Sequence, residues 1–113
     1  MTIDITKEAD VNIKYKNNSD FDLVVTITSG GSAVDLSGDT IRMDIKENRN
    51  FQSYVYRLTT ATEITISGAN NNVLTFSKTM NLPNDTYYYD CYDATDGDYL
   101  FGGFIKVKRN ITT

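Results

Sequence analysis

Apolar side chains in this chain recur at every second residue rather than every third or fourth. Between Thr40 and Glu47, Ile41, Met43 and Ile45 alternate with Arg42, Asp44 and Lys46. A period of two marks a strand with one face in a core and the other in water, so the first set is expected inside and the second in solvent. Phe21 to Thr28 repeats the pattern with Phe21, Leu23, Val25 and Ile27 on one face. In Thr86 to Tyr92 the same alternation puts Tyr87, Tyr89 and Cys91 on one side and Tyr88, Asp90 and Tyr92 on the other.

Turn chemistry separates these runs. Asn17-Asn18-Ser19-Asp20, Ser29-Gly30-Gly31-Ser32, Ser37-Gly38-Asp39, Gly68 to Asn72 and Asn81 to Asp85 all break the alternation with residues that favour turns. Ala94-Thr95-Asp96-Gly97 reads as a hairpin turn built on Asp-Gly. Between the breaks lie further predicted strands at Ala33–Leu36, Tyr54–Thr59, Ile64–Ile66, Val73–Thr79 and Tyr99–Lys108. The last contains Gly102-Gly103, which predicts a bulge or a close backbone approach. Residues 1–16 read as an N-terminal arm or as short edge strands, and residues 17–113 as one β domain. Lys14 and Lys16 alternate with Ile13 and Tyr15, as suits an edge that must not pair with other chains. No window has helical periodicity, so the chain is all-β, a sandwich or a small barrel.

Composition sharpens this picture by exclusion. At 113 residues the chain makes one domain, and it is long enough to bury a core without disulfides. Cys91 is the single cysteine, so no intrachain disulfide forms, and a small buried hydrophobe is expected there. No apolar run reaches the length that spans a bilayer, and Met1 to Glu8 lacks the apolar core of a secretory signal. We therefore expect no membrane partner. The net charge is −4 and the lysines and arginines are dispersed along the sequence, so no nucleic-acid partner is expected either. Lys106, Lys108 and Arg109 form the densest basic group and read as a solvated strand face.

The chain has no histidine, which removes the commonest general base and metal ligand. No carboxylate pair or phosphate loop stands out by spacing. The expectation is a non-enzyme with no catalytic residue, cofactor or metal. The Asp93 to Asp98 turn, with Asp93, Asp96 and Asp98, carries hard oxygen ligands of the kind calcium accepts, but a solvated hairpin explains it as well. Tyrosine supplies the remaining signal, with Tyr87, Tyr88, Tyr89, Tyr92 and Tyr99 close together. Exposed tyrosines suit interfaces, since they bury much area at low entropic cost. The candidate partner-binding residues are Tyr15, Tyr88, Tyr92 and Phe104. A sugar-stacking surface using Tyr88, Tyr92 and the acidic turn is the alternative.

The order of segments resembles small bacteriophage virion proteins, in particular the N-terminal domain of phage baseplate upper proteins. The residues that carry the likeness are Val34-Asp35-Leu36-Ser37-Gly38 leading into Thr40 to Ile45, then Asn72-Val73-Leu74-Thr75-Phe76. Leu82 to Asp90 follows, and last Gly103 before Phe104-Ile105-Lys106-Val107. The chain is richer in Asn and Tyr than that family. The resemblance implies an immunoglobulin-like antiparallel β-sandwich of about seven to nine strands and a structural role in the virion, made in the host cytoplasm. It implies other virion proteins as partners, in a capsid-decoration, adaptor, tail or baseplate position. It is compatible with a homo-oligomer and implies no catalytic residue. The alternative function is a carbohydrate-binding or host-adhesion module.

Overall fold

A strand that is apolar on one face needs a second such face to cover it, and this chain meets the need with two sheets. The computed structural model describes residues 2–7, 10–50 and 52–108. Their strands are β1 (Thr2–Asp4), β2 (Ile13–Lys16), β3 (Asp20–Ser29), β4 (Ser32–Ala33), β5 (Ile41–Lys46), β6 (Tyr56–Thr59), β7 (Ile64–Ser67), β8 (Val73–Thr79), β9 (Thr86–Asp93) and β10 (Asp98–Lys108). One sheet has the order β1-β3-β8-β7, with β4 paired to β3, and the other the order β2-β10-β9-β5-β6.

With β1, β3, β8 and β7 as strands A, B, E and D, and β10, β9, β5 and β6 as G, F, C and C′, this is the order of an immunoglobulin-like sandwich. Two details depart from expectation. The described residues form ten strands, because β1, β2 and the first hairpin add short pieces. The sheets are also mixed rather than wholly antiparallel. β1 runs parallel to β3, and β2 runs parallel to β10 with Ile13 opposite Ile105 and Lys16 opposite Lys108. β1 and β2 thus lie along an edge of each sheet in turn, and Ile3 and Tyr15 are buried.

The inner faces are those the alternation predicts. Ile41, Met43 and Ile45 of β5 are fully buried, as are Val25 and Ile27 of β3 and Leu74 and Phe76 of β8. Phe76 of one sheet meets Phe101 of the other edge-on at 6.2 Å, and Phe101 meets Tyr89 at 5.9 Å. Each such side chain, once removed from water, contributes about 1.5–3 kcal/mol. Leu36 closes one end of the core, and Met80 and Leu82 close the other. Ala33–Leu36 therefore forms less strand than predicted. Ser32–Ala33 pairs with β3 and the Val34 N–H still reaches the Ile27 carbonyl at 3.3 Å, after which the chain leaves the sheet to seat Leu36. The Gly30-Gly31 turn ahead of it has φ of 60° and 87°, a left-handed pair that side chains resist.

The polar groups that enter this core are bonded. The Tyr15 hydroxyl donates to the Ser19 carbonyl at 2.6 Å and accepts from the Met80 N–H at 3.0 Å. Its ring stands edge-on to Phe21 at 5.8 Å. Tyr87, at the corner where the chain passes from one sheet to the other, accepts from the Asn84 N–H at 3.0 Å, the tyrosine-corner device of such sandwiches. Cys91 is buried and free, and its surroundings push its thiol well above the usual range, chiefly through desolvation.

Candidate docking surface

The outward positions of β2, β10, β9, β5 and β6 form one continuous face. Register sets its content. Phe104 of β10 lies opposite Tyr88 of β9, and Lys46 of β5 lies on the other side of Tyr88. Arg42 lies beside Tyr92, and Asp44 sits between Asp90 and Arg57. At the β2 border Lys14 lies beside Lys106 and Lys16 beside Lys108. Cations dispersed along the sequence therefore share one side of the molecule, because β2 and β10 come from opposite ends of the chain. Arg109, grouped with Lys106 and Lys108 by sequence, lies outside the described residues.

Three of the four candidate residues belong to this face. Tyr88 and Phe104 are neighbours in register, both half-buried, and Tyr92 follows further along β9. Tyr15 does not belong. Its ring faces the core and its hydroxyl is engaged there, so it offers nothing to a partner. Its own strand carried the signal, since Lys14 and Lys16 occupy the outward positions and leave Tyr15 inward.

Asp44 corrects the expectation that every outward residue of β5 meets water. It is 6 % exposed. Arg57 Nε and Nη2 reach its two oxygens at 2.7 and 3.1 Å, and the Tyr92 hydroxyl donates to Asp44 Oδ2 at 3.0 Å. The Arg57 guanidinium lies 4.1 Å from the centre of the Tyr54 ring, and its pKa is driven upward mainly by the hydrogen bond to Asp44. A carboxylate this far from water is tolerable only with such partners. Tyr92 and Tyr54 are thereby tied into a rigid polar plate rather than left free.

A cleft of about 200 Å³ opens beside this plate, lined by Asp10, Lys46, Arg49, Tyr88, Asp90 and Tyr99. The Arg49 guanidinium sits 5.0 Å from the Tyr88 ring centre. Gly102 leaves room for the Tyr99 side chain, since a Cβ there would collide with the Tyr99 hydroxyl and stand 2.7 Å from the Tyr89 carbonyl oxygen. At Gly103 a Cβ would stand 2.5 Å from the Val11 carbonyl oxygen. The pair thus marks the predicted close approach. The bulge falls earlier, between Tyr99 and Phe101, where Leu100 is the extra residue and both Leu100 and Phe101 turn inward. Consecutive apolar residues in an alternating strand were its sequence signal. The bulge leaves Tyr99 outside, 54 % exposed, as an aromatic wall that the sequence grouped with the other tyrosines but did not name among the partner-binding residues.

The acidic turn lies at one end of the sandwich. Asp93 is buried and accepts from the N–H groups of Thr95 at 2.9 Å and Asp96 at 3.3 Å. The β4–β5 loop docks on this turn through Ala94 N–H to the Thr40 carbonyl and Thr40 N–H to Thr95 Oγ1, both 2.8 Å. That docking brings in Asp39. Carboxylate oxygens of Asp39, Asp93 and Asp96 lie within 4.8 Å of one another, whereas the sequence grouped Asp93 and Asp96 with Asp98. The hydrogen bond between the Asp39 and Asp93 carboxyls pushes Asp39 up to about 6. The turn is thus largely a self-capped hairpin whose remaining oxygens are hard donors of the kind a cation accepts.

No protein-family model matches this chain, and no curated protein sequence matches it.

Proposed function

We propose that this protein is a non-catalytic structural subunit of a bacteriophage particle that docks on neighbouring virion proteins through the outer face of β2-β10-β9-β5-β6. The observation that carries the docking part is the content of that face. Tyr88, Phe104, Tyr92 and Tyr99 stand among arginines and lysines on one rigid surface. Aromatic rings and arginine are the residues from which protein interfaces draw most of their energy. The phage assignment rests on the resemblance of segment order to the baseplate upper proteins.

Mass spectrometry of gradient-purified particles from a phage carrying this gene tests the reading. The protein is expected in the particles, and Tyr88→Ala with Phe104→Ala is expected to deplete it at least tenfold. Absence of the unaltered protein from particles would refute the role. A second reading follows from the cleft. Two rings, two carboxylates and two cations around about 200 Å³ also fit one sugar ring of a host surface polysaccharide. A glycan array with the pure protein separates the two readings, because binding abolished by Tyr88→Ala and Asp90→Asn would favour adhesion.

A further inference from the structure

Charge is distributed along this molecule in a way that the core does not require, and its basic part lies at the β2 border of the docking face. At one border of the five-stranded sheet, Lys14, Lys16, Lys106 and Lys108 form a two-by-two array, each ammonium stem beside another in register. All four are exposed. The ion pairs found among the described residues are Arg57–Asp44 and Lys78–Glu63, and neither includes any of these four lysines. Edge protection accounts for Lys14 and Lys16, because β2 is the outermost strand. It does not account for Lys106 and Lys108, which lie on β10 between β2 and β9. Like charges opposite one another on adjacent strands destabilise a sheet. Asp20 and Asp22 of β3, in the opposite sheet, line one cleft of about 180 Å³ with Lys14 and Lys16, and Asp20 accepts from the Thr79 hydroxyl at 3.0 Å, so Lys106 and Lys108 are the members of the array outside that cleft.

The opposite end of β10 has the opposite sign. Asp98 begins that strand, Asp96 precedes it in the turn, and the β4–β5 loop docked beside them adds Asp35 and Asp39. Asp35, Asp96 and Asp98 are exposed. From Asp98 to Lys108 the strand covers about 33 Å at about 3.3 Å per residue, most of the 47 Å length of the molecule.

We infer that copies of this chain associate end to end, with the aspartate loops of one docking on the lysine array of the next. Both halves of the contact are present on one polypeptide, and they are complementary in charge. The two surfaces differ, so the contact is heterologous. Repeated, it closes into a ring or extends as a row. Nothing in the inference depends on which particle or partner the docking face serves.

Sedimentation of the whole chain decides it. At about 10 mM salt, where screening is weak, the protein should self-associate with rising concentration, and at about 500 mM salt it should be monomeric. Lys106→Glu with Lys108→Glu cancels the charge of the basic end, and Asp96→Lys with Asp98→Lys cancels that of the acidic end, while each variant keeps its other end intact. Each variant alone should lose association by about tenfold or more, and an equimolar mixture should recover it. Far-UV circular dichroism checks that each is folded. Should the β10 variant fail to fold, Lys14→Glu with Lys16→Glu on the edge strand replaces it. A wild-type chain that stays monomeric at low salt overturns the inference. So does association that the charge reversals leave unchanged, or a mixture of folded variants that does not recover. Binding of polyphosphate to the lysine array by a chain that remains monomeric would assign the array to a free polyanion instead.

Discussion

The two outer faces of this sandwich are built from the same alternation and share almost no chemistry. On the β1-β3-β8-β7 side the outward residues include Thr26, Thr65, Thr75, Ser77 and Thr79, with Val24 as the large exposed apolar group, 51 % accessible. On the β2-β10-β9-β5-β6 side they include Phe104, Tyr88, Tyr92, Arg42, Lys46 and Arg57. Threonine and serine satisfy strand propensity and water at once and give a partner little to grip. Rings and guanidiniums supply that grip. The inward halves of both sheets explain the fold, and the difference between the outward halves is where function is to be sought.

The severest test of the comparison strikes what both faces share. Phe101→Ala removes the ring between Phe76 and Tyr89 and should cost about 3–5 kcal/mol. Thermal unfolding followed by near- and far-UV circular dichroism should shift as one transition, and separate melting of the two sheets would show that the faces are not carried on one core. Gly102→Ala comes next. Its new methyl meets the Tyr99 hydroxyl and the Tyr89 carbonyl, so a loss of about 1–3 kcal/mol is expected, read as a lowered urea midpoint.

Asp44→Ala should cost about 1–3 kcal/mol by leaving Arg57 and Tyr92 without their shared acceptor. Thr75→Ala, on the other outer face, should stay within about 0.5 kcal/mol. Equal losses from the two would erase the distinction between a rigid polar plate and a plain solvated face. Tyr88→Ala with Phe104→Ala should change stability by about 1 kcal/mol or less while removing partner capture.

The smallest effect concerns pH. Asp39 has a folded pKa of about 6, above the ordinary value of about 3.9 in an unfolded chain. The native state therefore holds the extra proton, and the contribution of Asp39 to stability should be fully present below about pH 4 and be lost as pH rises to about 6. Asp39→Asn should flatten that region of a melting-temperature profile, and an unchanged slope would place the titration elsewhere.

How much of this was legible in the sequence depends on the range of the interactions. The strands β5, β8 and β9 could be read within a residue or so, because inward and outward positions alternate within a few consecutive residues. The double turn at Gly30-Gly31 was legible for the same local reason. Asp44 was misjudged, because its burial depends on Arg57 and Tyr92, which reach it from two other strands. The lysine array and the Asp39–Asp93 contact were invisible, since each joins segments far apart in the chain. The cleft escaped notice because one bulged residue, Leu100, decides which way Tyr99 points.

The parallel pairing of β2 with β10 bears on how the domain would withstand force. Tension applied through the start of β2 and the finish of β10 draws the two strands in opposite directions along their length. The rungs from Ile13–Ile105 to Lys16–Lys108 are then loaded together in shear, whereas an unzipping hairpin breaks its rungs in succession. The N-terminal segment is thus a fastener, and a domain closed in this way is suited to holding neighbours together under mechanical stress.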